Sequence, residues 1–298
     1  MLIEAPLRKS TEVEALVSAG ADLFYCGVLS DSKINNRHNS ILHQFENFED
    51  LKIAVKKAHY FGKRIFLTLN GMKVDMENCK KQIFNATEIN VDGFIITDVA
   101  LANEILKVDK ESTIYLSVLV SAFNAESIKF YLQPGIKGLC LPRNISKENI
   151  SKIISNLPKL EIATFVSGNC SNTQTICKMH NICNRVPIYL HEGGQGELVC
   201  EGWNSNTSVI ETEITNFLNR KDWCPLCTLK KFKLAGVSNL KIEGRSLDTL
   251  DKVLKIKYIK SALDKLENLS DKEYVKFCKQ LYLDKYGIKC NMQNCYYD

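Results

Sequence analysis

The sequence lacks the features of a secreted or membrane-spanning chain. Met1 is followed almost at once by Glu4 and a strand-like start, without the basic region, apolar core and cleavage site of a signal peptide. No stretch approaches the roughly 18 uninterrupted apolar residues that a membrane helix needs. We therefore expect a cytoplasmic protein with no membrane insertion, in a compartment where disulfides rarely persist.

Several common catalytic motifs are also missing. The chain has no HExxH, GxSxG, GxxxxGKS/T or strand-linked GxGxxG, which argues against the commonest zincin, serine hydrolase, P-loop and Rossmann classes. No local signature of a cysteine protease surrounds its histidines. The formal net charge of +5 is spread thinly, and the densest basic stretch, 252–265, has acidic residues beside it. RNA binding stays open, although this charge pattern does not indicate it.

What the chain does have is the composition of an ordinary globular protein. It contains 298 residues, of which 45% are apolar and 24% charged. This length fits two average domains, or one α/β barrel of about 250 residues with insertions.

The order of apolar segments favours the barrel. Short apolar runs alternate with amphipathic stretches, the pattern of repeated βαβ units. We predict eight strands, at residues 2–5, 22–27, 64–70, 93–98, 113–118, 138–143, 161–168 and 239–244. Helical periodicity predicts helices at 11–18, 48–61, 78–89, 99–108, 124–131, 146–156, 247–266 and 271–286. The prediction is an α/β, TIM-barrel-like (β/α)8 domain over 1–268 with a helical tail over 269–298.

The regular alternation fails in one segment. Between Ser167 and about Lys221, Gly, Asn, Cys and Thr dominate, and a GGQG turn separates two apolar runs. We interpret 167–227 as a cysteine-rich insertion after strand 7. Because the loops at the carboxyl ends of barrel strands carry catalytic groups, the insertion leaves the barrel where an active site is expected.

Polar residues stand at the other strand ends too. Asn70, Asp98, Ser117, Arg143 and Ser167 end predicted strands, and we place Glu243 and Arg245 on the last one. Their position makes them candidate site residues, although any α/β chain has polar residues where its strands stop.

The cysteines point to a metal or redox centre. Six of the twelve lie in the insertion or at its end: Cys170, Cys177, Cys183, Cys200, Cys224 and Cys227. Both zinc and iron–sulfur clusters take four thiolates, and the single CxxC pair at 224–227 is not a complete zinc ribbon. Cys26, Cys79 and Cys140 fall in predicted strands or helices, where a lone cysteine is usually a small buried apolar residue.

One motif identifies a resemblance. Residues 235–245 read AGVSNLKIEGR, which is similar to the signature of the U-32 peptidase-like family. Supporting matches are Glu4-Ala5-Pro6, Ala19-Gly20-Ala21-Asp22, Leu69-Asn70, Val91-Asp92-Gly93 and the Cys170–Cys177 spacing. Asp222-Trp223-Cys224 resembles the family's Asp-Leu-Cys ahead of KIEGR.

The resemblance implies a 4Fe-4S cluster on Cys170, Cys177, Cys183 and Cys224, with zinc as the alternative metal. Cys200 and Cys227 are rivals for the third ligand. Members of the family act in oxygen-independent hydroxylation of the ubiquinone ring or of RNA bases, with prephenate implicated as oxygen donor. Others are labelled collagenase-like peptidases.

The chain departs from the family at positions that face the site. Ser167 stands where His is frequent, Asn144 where Glu is, and Val118-Leu119 where Thr-Gln is usual. The length resembles the short quinone-pathway members more than the longer RNA-modifying ones.

Three hypotheses follow: a hydroxylase or hydroxylase subunit acting on a small aromatic molecule or nucleobase, a peptidase, or a non-catalytic partner of a paralogous subunit. For the first, the candidate catalytic residues are Asn70, Asp98, Arg143, Glu243 and Arg245. Arg143, Arg245 and Lys241 would offer cations to an anionic substrate. The competing interpretation of Glu243 and Arg245 is an internal ion pair that holds the barrel shut.

Overall fold

The computed structural model describes residues 1–29, 41, 43–71, 75–167, 224–291 and 295–297. In this part of the chain eight parallel strands pair in sequence order and close on themselves, β1 beside β8. The strands are β1 Leu2–Pro6, β2 Leu23–Cys26, β3 Arg64–Leu69, β4 Gly93–Ile96, β5 Thr113–Leu116, β6 Ile136–Cys140, β7 Glu161–Phe165 and β8 Asn239–Lys241. The predicted TIM-barrel-like fold is confirmed, although several strands end earlier than predicted. Glu243 and Arg245 lie beyond β8, which is a correction to their placement on the last strand.

Seven of the α-helices in the described part of the chain lie between strands, and two follow β8. They are α1 Val13–Ala19, α2 Phe48–Tyr60, α3 Met76–Glu88, α4 Ala100–Val108, α5 Ala125–Tyr131, α6 Lys147–Ser155, α7 Leu229–Ala235, α8 Thr249–Leu263 and α9 Asp271–Tyr286. Helix α7 was not predicted, because its seven residues are few for a periodic apolar pattern to be recognised.

Side-chain caps explain where many helices start. Asn47, Asp75 and Ser146 accept hydrogen bonds from backbone N–H groups in the first turns of α2, α3 and α6. Asn124 and Ser270 form capping boxes at α5 and α9. Each cap satisfies N–H groups that the helix itself leaves unpaired, which fixes the boundary at that residue.

The barrel interior contains both aromatic rings and charges. Tyr25, Phe66 and Tyr115 pack there with Leu23 and Ile95, and the rings of Phe66 and Tyr115 stack with centroids 4.6 Å apart. At the amino ends of the strands, Glu161 accepts hydrogen bonds from Tyr115 at 2.6 Å and Arg64 at 3.2 Å. Glu161, Tyr115 and Arg64 therefore satisfy one another's polar groups, as burial favours.

An ion pair joins the first and last strands. The Lys241 ammonium on β8 donates to the Glu4 carboxylate on β1, and the two residues stand opposite each other in the strand register. Lys241 also lies 3.7 Å from the centroid of the Tyr25 ring. Glu4 is 1% exposed and Lys241 8% exposed, so water screens this pair little.

Two further contacts attach outer elements to the barrel. Lys252 of α8 pairs with Glu12 at 2.9 Å in a fully buried bridge, where burial lowers the pKa of Lys252 to about 8. On α9, the Tyr274 hydroxyl donates to the Leu226 carbonyl at 3.2 Å. Among the described residues, no helix combines the length and apolar character needed to span a bilayer.

Lys241→Met should lower the free energy of unfolding by about 3–5 kcal/mol, because it leaves the Glu4 carboxylate buried without its cation. Urea denaturation measures the change. Adding Glu4→Leu to Lys241→Met should restore most of the loss. The control is Lys231→Met, which breaks an exposed pair with Glu148 and should cost less than about 1 kcal/mol. Equal losses in the two single variants would contradict a special contribution of the interior pair.

Candidate functional site

The carboxyl ends of the strands bring several predicted residues together. Asn70, after β3, donates from Nδ2 to the Ser117 hydroxyl after β5 at 3.2 Å. Asp98, after β4, instead accepts from the backbone N–H of Ala100 at 2.9 Å, at the start of α4. Thus Asn70 and Ser117 form one polar contact, whereas the Asp98 carboxylate holds a helix start.

Arg143 and Glu243 form the central ion pair of this end of the barrel. Arg143 is 4% exposed, and its guanidinium lies 4.4 Å from the centroid of the Phe165 ring. Burial disfavours the charged guanidinium, but the Glu243 carboxylate outweighs burial and raises the pKa of Arg143. Glu243 is also held by its backbone N–H, which donates to the Ser167 hydroxyl at 3.0 Å. Glu243 is thus in an internal ion pair, but its partner is Arg143, whereas the sequence interpretation had named Arg245.

The other two cations proposed for an anionic substrate differ in position. Lys241 is bound to Glu4 inside the barrel, which corrects its expected role as a substrate-facing cation. Arg245 is 6% exposed, and its guanidinium lies 6.0 Å from the centroid of the Tyr25 ring.

The turn after β8 explains the KIEGR sequence locally. Ile242 donates to the Glu4 carbonyl and accepts from the Tyr25 hydroxyl at 2.9 Å. Gly244 has φ of +116°, and a Cβ there would lie 2.3 Å from Leu247 Cδ1. Only glycine fits this turn without strain, and the turn separates Glu243 from Arg245.

Two tyrosines that sequence reasoning missed complete the site. Tyr296 donates from its backbone N–H to the Cys224 carbonyl at 3.1 Å and from its hydroxyl to the Ser167 carbonyl at 3.4 Å. Its ring centroid is 5.7 Å from the Arg143 guanidinium. Tyr297 donates to the Phe165 carbonyl at 2.7 Å. The only signal in the sequence was an aromatic pair next to Cys295, and no local pattern linked it to β7.

Cys224 is the described member of the predicted cluster ligands. It is 8% exposed, and its sulfur lies 3.5 Å from the Tyr258 hydroxyl. Burial raises the pKa of the Cys224 thiol, and the Tyr258 hydrogen bond opposes that rise. Cys170, Cys177 and Cys183, and the rival Cys200, lie outside the described residues.

More thiols lie near Cys224. Cys227 hydrogen-bonds to Cys278, a contact that with burial raises the pKa of Cys278, and Cys290 is close enough to influence Cys224 electrostatically. Within the described ranges, however, no three His, Cys, Asp or Glu side chains are arranged to hold a metal ion. A four-ligand centre at Cys224 would need ligands outside the described residues, where Cys170, Cys177 and Cys183 lie.

Cys26, Cys79 and Cys140 belong to the core, as expected. Burial raises the pKa of Cys26 and Cys140 to about 12 and that of Cys79 to about 11. Their thiols are protonated at neutral pH and are poor nucleophiles.

Comparison with known proteins identifies the family. The sequence profile described as Peptidase family U32 matches residues 8–297. The chain belongs to this family.

Curated relatives include two kinds of RNA-hydroxylation protein. The chain is 30% identical over 154 residues to tRNA hydroxylation protein P of Escherichia coli, covering 50% of this chain and 32% of that protein. The Helicobacter pylori protein of the same name is 26% identical, over 55% of this chain and 38% of that one. The 23S rRNA 5-hydroxycytidine C2501 synthase of E. coli is 26% identical, over 82% of this chain and 36% of that protein. The matched stretch thus spans about a third of each relative.

Solved structures agree on the fold. Tryptophan synthase subunit alpha from Legionella pneumophila has a TM-score of 0.51 at 12% identity, over 89% of this chain and 93% of that one. A U32 peptidase structure has a TM-score of 0.45 at 15% identity, over 57% of this chain and 70% of that one. At these identities the first likeness concerns the barrel alone.

Arg143→Met should lower the free energy of unfolding by about 3–5 kcal/mol, because Glu243 loses its partner in a poorly hydrated position. Adding Glu243→Gln removes the unpaired charge and should recover at least half of the loss. Urea denaturation of the single and double variants tests this. A double variant as unstable as Arg143→Met would show that the lost packing on Phe165, rather than the unpaired carboxylate, sets the cost.

Proposed function

We propose that this chain is an oxygen-independent hydroxylase, or a subunit of one, that acts on a nucleobase of RNA. The supporting observation is the family match over residues 8–297 together with relatives named for tRNA and rRNA hydroxylation. The resemblance also allowed a quinone-like aromatic substrate, but the curated relatives that match favour RNA.

The proposed cofactor is a 4Fe-4S cluster on Cys170, Cys177, Cys183 and Cys224. Cys224 fits a ligand position because its thiol is buried and near the carboxyl end of the barrel. Tyr296 links it to Ser167, which precedes Cys170 by three residues in the sequence. Thiolates are the usual ligands of such clusters, and a nearby hydroxyl such as Tyr258 would tune the potential. When bound, the cluster would supply one-electron redox chemistry.

The residues of the chain itself would position the substrate. Asn70 and Ser117 offer an amide and a hydroxyl with the hydrogen-bonding character of a base edge. Phe165 and Tyr296 pack against the Arg143 guanidinium and keep water from it. Arg245 would contact an anionic oxygen donor, for which prephenate is the proposed compound. A paralogous subunit is the proposed protein partner.

A thiol peptidase has less support. The core thiols Cys26, Cys79 and Cys140 have raised pKa values and are protonated. His59 contacts Asp92 at 3.0 Å, and Asp92 precedes β4 at the opposite end of the barrel.

Anaerobic purification should give about four iron and four sulfide per chain with a broad visible absorbance band. Cys224→Ala should lose most of this iron, because a thiolate ligand is removed. Cys79→Ala, which removes a buried core thiol on α3, is the matched control and should keep it. A colourless protein with stoichiometric zinc and no sulfide would contradict the proposed cluster.

The activity is tested by mass spectrometry of RNA nucleosides from cells with and without the gene. A nucleoside heavier by one oxygen atom should be lost on deletion and restored by the wild-type chain. The Arg143→Met/Glu243→Gln variant should fold but restore less than about a tenth of it, if this pair orders the substrate (about 1.4 kcal/mol per tenfold). Full restoration by that variant would assign the pair to stability alone. Unchanged nucleosides on deletion would contradict an RNA substrate.

A further inference from the structure

The outer face of α9 carries a lysine-rimmed groove remote from the barrel interior. The groove has a volume of about 480 Å³, and its rim includes Lys272, Lys276, Lys279 and Lys289. Val275 and Leu283 contribute apolar surface to it. No carboxylate lines it among the described residues, so its charge is uniformly positive.

The charges of these lysines are not neutralised locally. None of the four has an ion pair or hydrogen bond with another described residue. Of the nearby acids, Asp271 pairs with Lys230, whereas Glu273 and Asp284 hydrogen-bond to the neutral Ser270 and Gln280, so the four lysines outnumber these two charged acids. The groove therefore keeps a net positive potential.

The groove continues towards the candidate site. Cys290 lines it beside Lys289 and is also close to Cys224. Lys285 of the same helix lies 3.9 Å from the centroid of the Tyr258 ring, and the Tyr258 hydroxyl contacts Cys224. Desolvation and the neighbouring Lys255 ammonium lower the pKa of Lys285 to about 8. Positive side chains thus extend from the groove to Cys224.

We propose that this groove binds the phosphate backbone of the RNA substrate and guides it to the site at Cys224; the inference rests on the proposed function. Lys272, Lys276 and Lys279 repeat at i, i+4 and i+7, and seven residues of helix rise about 10 Å. Three cations along this length can contact successive phosphates of one strand. Lysines act as flexible point charges on phosphates, which suits contacts that position RNA without reading its sequence.

The test compares two triple charge reversals in the full chain. One is Lys272→Glu/Lys276→Glu/Lys279→Glu in the groove. The control, Lys52→Glu/Lys56→Glu/Lys81→Glu, changes the net charge equally on α2 and α3, where these lysines also have no ion pair with a described residue. Fluorescence anisotropy with an unmodified tRNA transcript measures binding at several salt concentrations.

The groove variant should bind at least tenfold more weakly, and its slope of log K against log[salt] should fall by about 2–3, because about three phosphate contacts are lost. The control should keep the wild-type slope. Thermal melting checks that both variants fold, and a Lys→Gln version of the groove triple replaces the Glu version if it does not.

The outcomes separate the two proposals. Equal weakening by both triples, or by neither, would overturn the groove while leaving an RNA substrate intact, provided that the hydroxylated nucleoside is found. A wild-type chain that binds no tRNA and leaves cellular nucleosides unchanged on deletion would overturn the RNA substrate and the groove together.

Discussion

The barrel depends on an ion pair closed inside it. Glu4 on β1 and Lys241 on β8 belong to the first and last strands, and their pairing across that seam accompanies the backbone ladder between them. Removing either charge alone leaves the other buried and unpaired. The resulting loss of folding free energy is larger than the net stabilisation that the pair provides. The arrangement therefore stabilises the closed barrel against alternatives in which these two strands separate, and it fixes the register from which the last strand leaves the barrel.

That register positions the residues that follow. Ile242 is held between the Glu4 carbonyl and the Tyr25 hydroxyl, so Glu243 leaves the strand in a fixed direction towards Arg143. Gly244 then reverses the chain before Arg245. In the KIEGR sequence, Lys241 pairs with Glu4, Ile242 is apolar and Glu243 pairs with Arg143. Gly244 forms the turn. Lys241 contributes to folding, whereas Glu243 and Arg245 lie where substrate chemistry is proposed.

The sequence was sufficient to locate the strands and most helices, but not to predict where each strand ends or which site residues pair. Apolar periodicity located all eight strands, because each buried parallel strand forms a short apolar run bounded by polar residues. Asn70 and Ser117 were each placed at a strand end from the sequence, and the structure adds that their side chains are in contact. The partner of Glu243 is 100 positions away, and no local pattern distinguishes Arg143 from Arg245 as that partner. Tyr296 is a still harder case, since its contacts with Cys224 and Ser167 depend on how the chain returns after α9.

The cost of burying an unpaired charge also explains where the positive side chains of the protein lie. In the protein interior, Lys241, Lys252 and Arg143 each face a carboxylate, because an unpaired buried cation would be too costly. On the outer face of α9, water solvates the lysines and no such pairing is required, so their charge acts on what approaches from solution. A polyanion therefore meets the unpaired lysines of α9 at the surface, and it meets the paired cation Arg143 only at the end of the barrel. In the proposed function, the α9 lysines provide binding strength and other residues provide the chemistry. The net charge of the sequence indicates RNA binding only weakly, because it counts paired and unpaired lysines alike.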